Sequence, residues 1–92
     1  MSVFDAEVVE WDDGNESHFA GHGISEWQVM DVLEDAEVAV PNRKQGSGQW
    51  LVLGYDRGGL ALTIVVGYNS TRRTLRPITG WQTTPGERAR YL

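Results

Sequence analysis

The sequence predicts an α+β domain: an antiparallel sheet with two helices on one face and a short helix at the C-terminal end. Three observations point there. Residues 3–11 alternate apolar and acidic side chains, two capped helical segments follow before residue 37, and residues 49–82 hold three β-type runs separated by turns. With a short strand near Val38–Val40 and a last capped segment after residue 83, the order is β-α-α-β-β-β-β-α.

Each element has its own signal. In the stretch from Val3 to Trp11, Phe4, Ala6 and Val8 alternate with Asp5 and Glu7, the period of two of a half-buried strand. Asp12 and Asp13 are both good N-cap residues, Glu16 follows Asp13 by three, and Gly21-His22-Gly23 stops the run, so a helix is expected over about residues 13–20. Ser25 and Gln28 form a capping box, flanked by Ile24 and Val29 at the hydrophobic-staple positions. Val29, Val32, Leu33 and Ala36 then share one helical face, which turns Asp31, Glu34 and Asp35 to water. Trp11 and Trp27, at the ends of elements, are expected in the core.

Asn42 to Gly48 reads as a loop by composition, and the pattern then changes to β. Gln49–Tyr55 is a strand, Asp56-Arg57-Gly58-Gly59 a turn, and Leu60–Tyr68 the most apolar run and therefore the central strand. After a turn at Asn69–Arg73, Thr74–Gln82 continues the sheet, with Pro77 marking an edge or a bulge because it has no N–H for the ladder. Thr84 as N-cap, Pro85 at the first helical position and Glu87 at the capping-box position start the final helix, which Gly86 weakens.

Composition sets the outer limits. Ninety-two residues make one domain, 1–92, large enough to bury about 60–70% of its extended-chain surface. The absence of cysteine removes disulfides and Cys-based zinc sites and points to a reducing, cytoplasmic setting. MSVFDAEVVEWDD has no basic flank or apolar signal core, so no export is expected, and no run approaches the roughly 20 apolar residues of a membrane span. The net charge of −5 conceals a division: all eight Lys and Arg follow residue 42, whereas every Asp and Glu except Asp56 and Glu87 lies within residues 1–37. Either the molecule offers one surface to a basic partner and another to an acidic one, or both faces are simply solvated.

The blocks WDDGNESHFAGHGIS, LGYDRGGLALTIVV and LRPITGWQTTPGERARY, in that order, resemble the BrnT family of type II toxins, relatives of the RelE/ParE toxins. The family's pattern runs W-D-x-x-N-x-x-H, H-G-(I/V)-(S/T), G-R-L-x-x-V-V, R-x-I-(S/T)-A-R and E-R-x-x-Y. Trp11, Asp12, Asn15, His18, His22, Gly23, Ile24 and Ser25 match the first blocks, and Arg76, Ile78, Thr79, Glu87, Arg88 and Tyr91 the last. The resemblance covers nearly the whole chain. It implies a RelE-like fold, an RNA-cleaving toxin that inhibits translation, and RNA as the substrate. It also implies a cognate antitoxin of ribbon-helix-helix type, with DNA reached only through the toxin–antitoxin complex. Where the family has Ala-Arg this chain has Gly80-Trp81, so one phosphate-binding cation of the family is replaced, and the final helix is poorer in Lys and Arg than the family's. A catalytically weak toxin-fold domain acting as a protein-interaction module is the alternative.

Metal-independent RNA cleavage needs a base for the 2′-hydroxyl, a cation for the charge growing on phosphorus and an acid for the leaving oxygen. Arg76, with Arg88 or Arg90, supplies candidate cations that grip phosphate bidentately. Glu87 or a histidine is the candidate base; Tyr91 or His22 is the candidate acid, unless Tyr91 stacks on a base instead. Arg90, Trp81, Lys44 and Arg57 are the candidate contacts to nucleic acid or a partner. Each has a structural alternative: Glu87 as a cap, Arg76 as a solvated strand residue, His22 as a helix-end residue beside Gly23, Trp81 as packing beneath the last helix. His18 and His22 are four apart, but without Cys or an H-E-x-x-H motif no metal site and no cofactor is expected.

Overall fold

A computed structural model of the chain describes residues 4–36, 38–43 and 49–92. The order is β1 (Val8–Val9), α1 (Asp13–Gly21), α2 (Glu26–Asp35), β2 (Val38–Asn42), β3 (Gln49–Tyr55), β4 (Ala61–Asn69), β5 (Thr74–Gln82) and α3 (Pro85–Tyr91). The α+β class and the element order follow the sequence, but the sheet is mixed rather than purely antiparallel. Its strands lie in the order β1-β5-β4-β3-β2, and β1 runs parallel to β5, with Val8 opposite Thr74 and Val9 opposite Leu75. The expected strand over residues 3–11 shrinks to these two residues. Its alternation breaks between Ala6 and Val9: Phe4, Ala6, Val9 and Trp11 pack against the core, whereas Val8 is exposed.

The helices form where their caps and apolar spacing put them. Asp12 is the N-cap of α1, and its box partner is Asn15 rather than a glutamate: each side chain bonds the other's backbone N–H. At the far end Gly23 takes φ +73°, Ile24 N–H bonds Phe19 O at 2.9 Å, and Gly23 N–H bonds Ala20 O at 3.0 Å. This is a Schellman turn, in which glycine adopts the left-handed conformation at no steric cost and Phe19 and Ile24 meet in the core. The Ser25–Gln28 box starts α2, whose Val29, Val32, Leu33 and Ala36 are all buried, each large aliphatic contributing about 1.5–3 kcal/mol. Glu34 and Asp35 face water as expected, but Asp31 turns toward Arg57. Trp27 is 78% exposed, contrary to the core position expected of it, because it lies on the side of α2 opposite the apolar stripe.

Ala61 to Val66 are buried, so the most apolar run does form the middle strand. Val52, Ile64, Val66 and Leu75 face α1 and α2. The opposite face carries Leu53, Thr63 and Trp81 in register, and Thr63 bonds Glu87 of α3 there, so α3 covers the side of the sheet away from the other helices. Opposite Val65 and Val66 the ladder slips by one residue: Val66 pairs with Pro77 and Val65 with Thr79, leaving Ile78 as the bulge at the proline. Gly80 sits where a Cβ would come within 2.9 Å of both Ile64 Cδ1 and the Thr63 carbonyl, so only glycine lets β5 lie this close under Phe19. Among the described residues no helix is long and apolar enough to cross a membrane.

Candidate functional site

Because β1 pairs only with the start of β5, the rest of that strand's outer edge is open, and α1 closes it. Asn15, 4% exposed, donates its amide to Glu10 O and Pro77 O, both at 2.9 Å, satisfying a strand carbonyl that has no neighbouring strand. One turn further, His18 Nε2 and Thr79 Oγ1 share a hydrogen bond of 2.8 Å. The His22 ring lies with its centroid 5.0 Å from that of His18, as the i, i+4 spacing on a helix allows. Gly14, Asn15, His18, Arg76, Pro77, Ile78 and Thr79 line a surface groove of about 380 Å³. Its two walls come from segments some sixty residues apart in sequence, Asn15 and Pro77 among them.

Arg76 enters this groove already engaged. Its Nη1 lies 2.8 Å from Glu10 Oε1 and 2.9 Å from Asp12 Oδ2. The hydrogen bonds that the guanidinium donates to Asp12 and Glu10 raise its pKa further, and the one to Asp12 is the main reason that carboxyl falls below its ordinary range. Similar pairing recurs along the chain. Arg73, at φ +51°, bonds Asp5 at 2.6 Å and Glu7 at 2.7 Å, and Arg57 pairs with Asp31 at 3.3 Å. The two oppositely charged parts of the sequence therefore meet in the fold: carboxylates from residues 5–31 clamp arginines from residues 57–76. The pairs of Arg73 and Arg76 are solvent-exposed and add little to stability, but like that of Arg57 they cancel charge where they sit.

Glu87 is the hub of the α3 start. Its Oε1 accepts from Trp81 Nε1 at 3.0 Å, Thr84 N–H at 3.0 Å and Thr63 Oγ1 at 3.2 Å, while the Thr84 hydroxyl caps the Glu87 N–H. Burial pushes its carboxyl pKa up, but the Thr84 backbone and the Trp81, Thr84 and Thr63 side chains outweigh burial and leave it lowered. Trp81 is thus tied to the helix it underlies. A lowered folded-state pKa means that this group's stabilisation is present in full above the ordinary glutamate range and is lost as pH falls through the folded value. Glu87→Gln should therefore flatten the acid side of the stability–pH curve. Glu87→Ala should cost about 1 kcal/mol at neutral pH, toward the lower end for a cap because the helix start is open to water. Thermal unfolding at a series of pH values checks both.

The remaining candidates separate by place. Arg88 is exposed, and Arg90 lies with its Cζ 5.9 Å from the Tyr91 ring centroid. Arg90 and Tyr91 share a second cavity with Val40, Pro41, Arg43 and Leu51, and a third with Glu87. Arg43, Arg88 and Arg90 form no ion pair among the described residues. Lys44 and the rest of the loop over residues 44–48 lie outside the described residues. Arg76 thus lines the α1–β5 groove and His22 stands beside its His18; Glu87, Arg90, Tyr91 and Trp81 belong to the α3 side, and Arg57 to the turn before β4. His18, Asn15 and Thr79 were not picked out as site residues from the sequence, although all three fall in the matched blocks. The tertiary pairing of His18 with Thr79 has no local sequence signal. Among the described residues no group of three or more His, Asp or Glu is placed to share a metal ion.

Comparison with protein-family models and with curated proteins finds no match for this chain.

Proposed function

We propose that this chain is the toxin component of a type II toxin–antitoxin pair, similar to the BrnT toxins and of RelE-like fold, and that it cuts RNA in the α1–β5 groove. The observation that carries this reading is convergence: Asn15 and His18 from the first matched block and Arg76, Ile78 and Thr79 from the last line one groove. His18 and Arg76 in the groove, with the His22 ring 5.0 Å from that of His18, are a sufficient set for the chemistry. His18, oriented by Thr79, takes the proton of a ribose 2′-hydroxyl; the 2′-oxygen attacks phosphorus, the bond to the 5′-oxygen breaks, and a 2′,3′-cyclic phosphate is left. His22, protonated, returns a proton to the departing 5′-oxygen, and Arg76 offsets the charge on the phosphoryl oxygens.

One observation favours the second reading, a toxin-fold domain that works only by binding a partner. Arg76 is held by two carboxylates, so a phosphate must displace Glu10 or Asp12 before it gains the cation. Induced expression in a bacterium separates the two. On the enzyme reading, wild-type protein arrests growth and degrades RNA, and His18→Ala and Arg76→Ala each abolish both while retaining wild-type thermal unfolding. Growth without arrest, together with intact RNA, rejects the enzyme and leaves the binding module. Arrest that persists in both variants moves the chemistry out of this groove. The partner implied in either case is an antitoxin of ribbon-helix-helix type, and a small adjoining reading frame whose product abolishes the arrest tests it.

A further inference from the structure

Among the described residues Trp27 is the most exposed of the large hydrophobic side chains that reach the surface, and it does not stand alone. With Met30, Val9 and Trp11 it walls a groove of about 310 Å³ between α2 and the N-terminal arm, completed by Glu7 and Glu26. Val8, on the neighbouring edge strand, is 53% exposed. Single exposed apolar residues are ordinary, but a continuous apolar groove holding an exposed tryptophan and a methionine has the composition of an interface centre.

The unpaired charge beside this groove is negative. No Lys or Arg precedes Arg43 in the sequence, and Glu26 and Glu34 on α2 form no ion pair among the described residues. Arg73 already neutralises Glu7 at 2.7 Å, so the unpaired carboxylates beside the groove are those of α2. Among the described residues the arginines without ion pairs are Arg43 at the end of β2, Arg72 in the turn before β5, and Arg88 and Arg90 on α3, and none of them lines this groove. We propose that this groove is a docking site for a basic, apolar-anchored segment of a partner protein, which seats its hydrophobic residues against Trp27 and Met30 and its cations against Glu26 and Glu34. The complementarity sets orientation and association rate, and the tryptophan carries most of the affinity. The site is separate from the α1–β5 groove, and its test does not depend on RNA cleavage.

The full chain is titrated with a labelled synthetic helix of about four turns, Leu on one face and Lys elsewhere, and with a companion in which Glu replaces Lys. The Lys peptide binds, more weakly as salt rises, and the Glu peptide does not. Trp27→Ala weakens binding at least about tenfold and Glu26→Lys weakens it too, both with wild-type thermal unfolding. Asp35→Lys, the same charge reversal on the side of α2 that lines a separate cavity with Leu53 and Tyr55, leaves the affinity within about twofold. Equal binding of the two peptides, or an affinity unchanged by Trp27→Ala, overturns the proposal. So does a self-associated chain in sedimentation that Trp27→Ala converts to monomer, since a second copy would then own the groove.

Discussion

Phe19→Ala will lower the unfolding free energy by about 3–5 kcal/mol, a large share of the about 5–15 kcal/mol that holds a domain of this kind together. Phe19 is 1% exposed and joins three things at once. Its ring meets Trp11 edge-on at 5.8 Å, its Cε1 lies 3.0 Å from where a Gly80 Cβ would stand, and its carbonyl accepts the N–H groups of His22 and Ile24 that close α1. The space left by truncation cannot close easily. One wall is a glycine with no side chain to move, and the other is a sheet fixed by its ladder. Phe19→Leu, which refills most of the volume, should cost less than about half as much. Urea unfolding followed by tryptophan fluorescence gives both values. A loss below about 1 kcal/mol for Phe19→Ala would mean that α1 is not anchored as described.

Asn15→Asp should cost about 3 kcal/mol or more at neutral pH, although it alters a single atom's chemistry. The asparagine amide donates to two carbonyl oxygens at 2.9 Å from a nearly buried position, and a carboxylate in its place would turn a negative oxygen toward both. The introduced acid would have a folded-state pKa raised above its unfolded value of about 3.9. A raised pKa gives a contribution that is intact below the unfolded value and lost as pH rises through the folded one. The gap between variant and wild type should therefore be small near pH 4 and widen toward pH 7. A gap that is equally large at both would show that volume or the Asp12 box, not the donated hydrogen bonds, sets the cost. Asn15→Ala, which leaves the Pro77 carbonyl unpaired without adding charge, should fall at about 1–3 kcal/mol at any pH.

The helices were readable because their signals are local. The Ser25–Gln28 and Thr84–Glu87 boxes lie within one turn, and the stripe from Val29 to Ala36 repeats at the helical period. The bulge at Pro77 was legible for a similar reason, since proline alone dictates that something must give. The parallel pairing of β1 was not, because a two-residue strand has no periodicity, and direction is decided by the partner rather than by the strand. Trp27 misled because its position near a helix start says nothing about which way it faces; its offset from Val29 and Val32 does. The site was half legible. The residue types were present in the matched blocks, but their partners were not: Arg76 with Glu10 and Asp12, His18 with Thr79, and Glu87 with Thr63 and Trp81 are all set by tertiary packing.

The join between the N-terminal arm and β5 also fixes an order of events in time. Glu7 and Arg73 are 66 residues apart, and Glu7, Val8 and Glu10 hang their N–H groups on carbonyls of Arg73 and Leu75. The strands from β2 to β5 can zip together hairpin by hairpin through short turns, but the arm has no partner strand until the last of them exists. On the ribosome, the residues synthesised first are therefore among the last to settle, and Phe4 stays without Trp50 and Tyr68 through much of synthesis. Completion of this sheet edge therefore reports that synthesis has passed the start of β5, because no product that stops before Thr74 and Leu75 can form it.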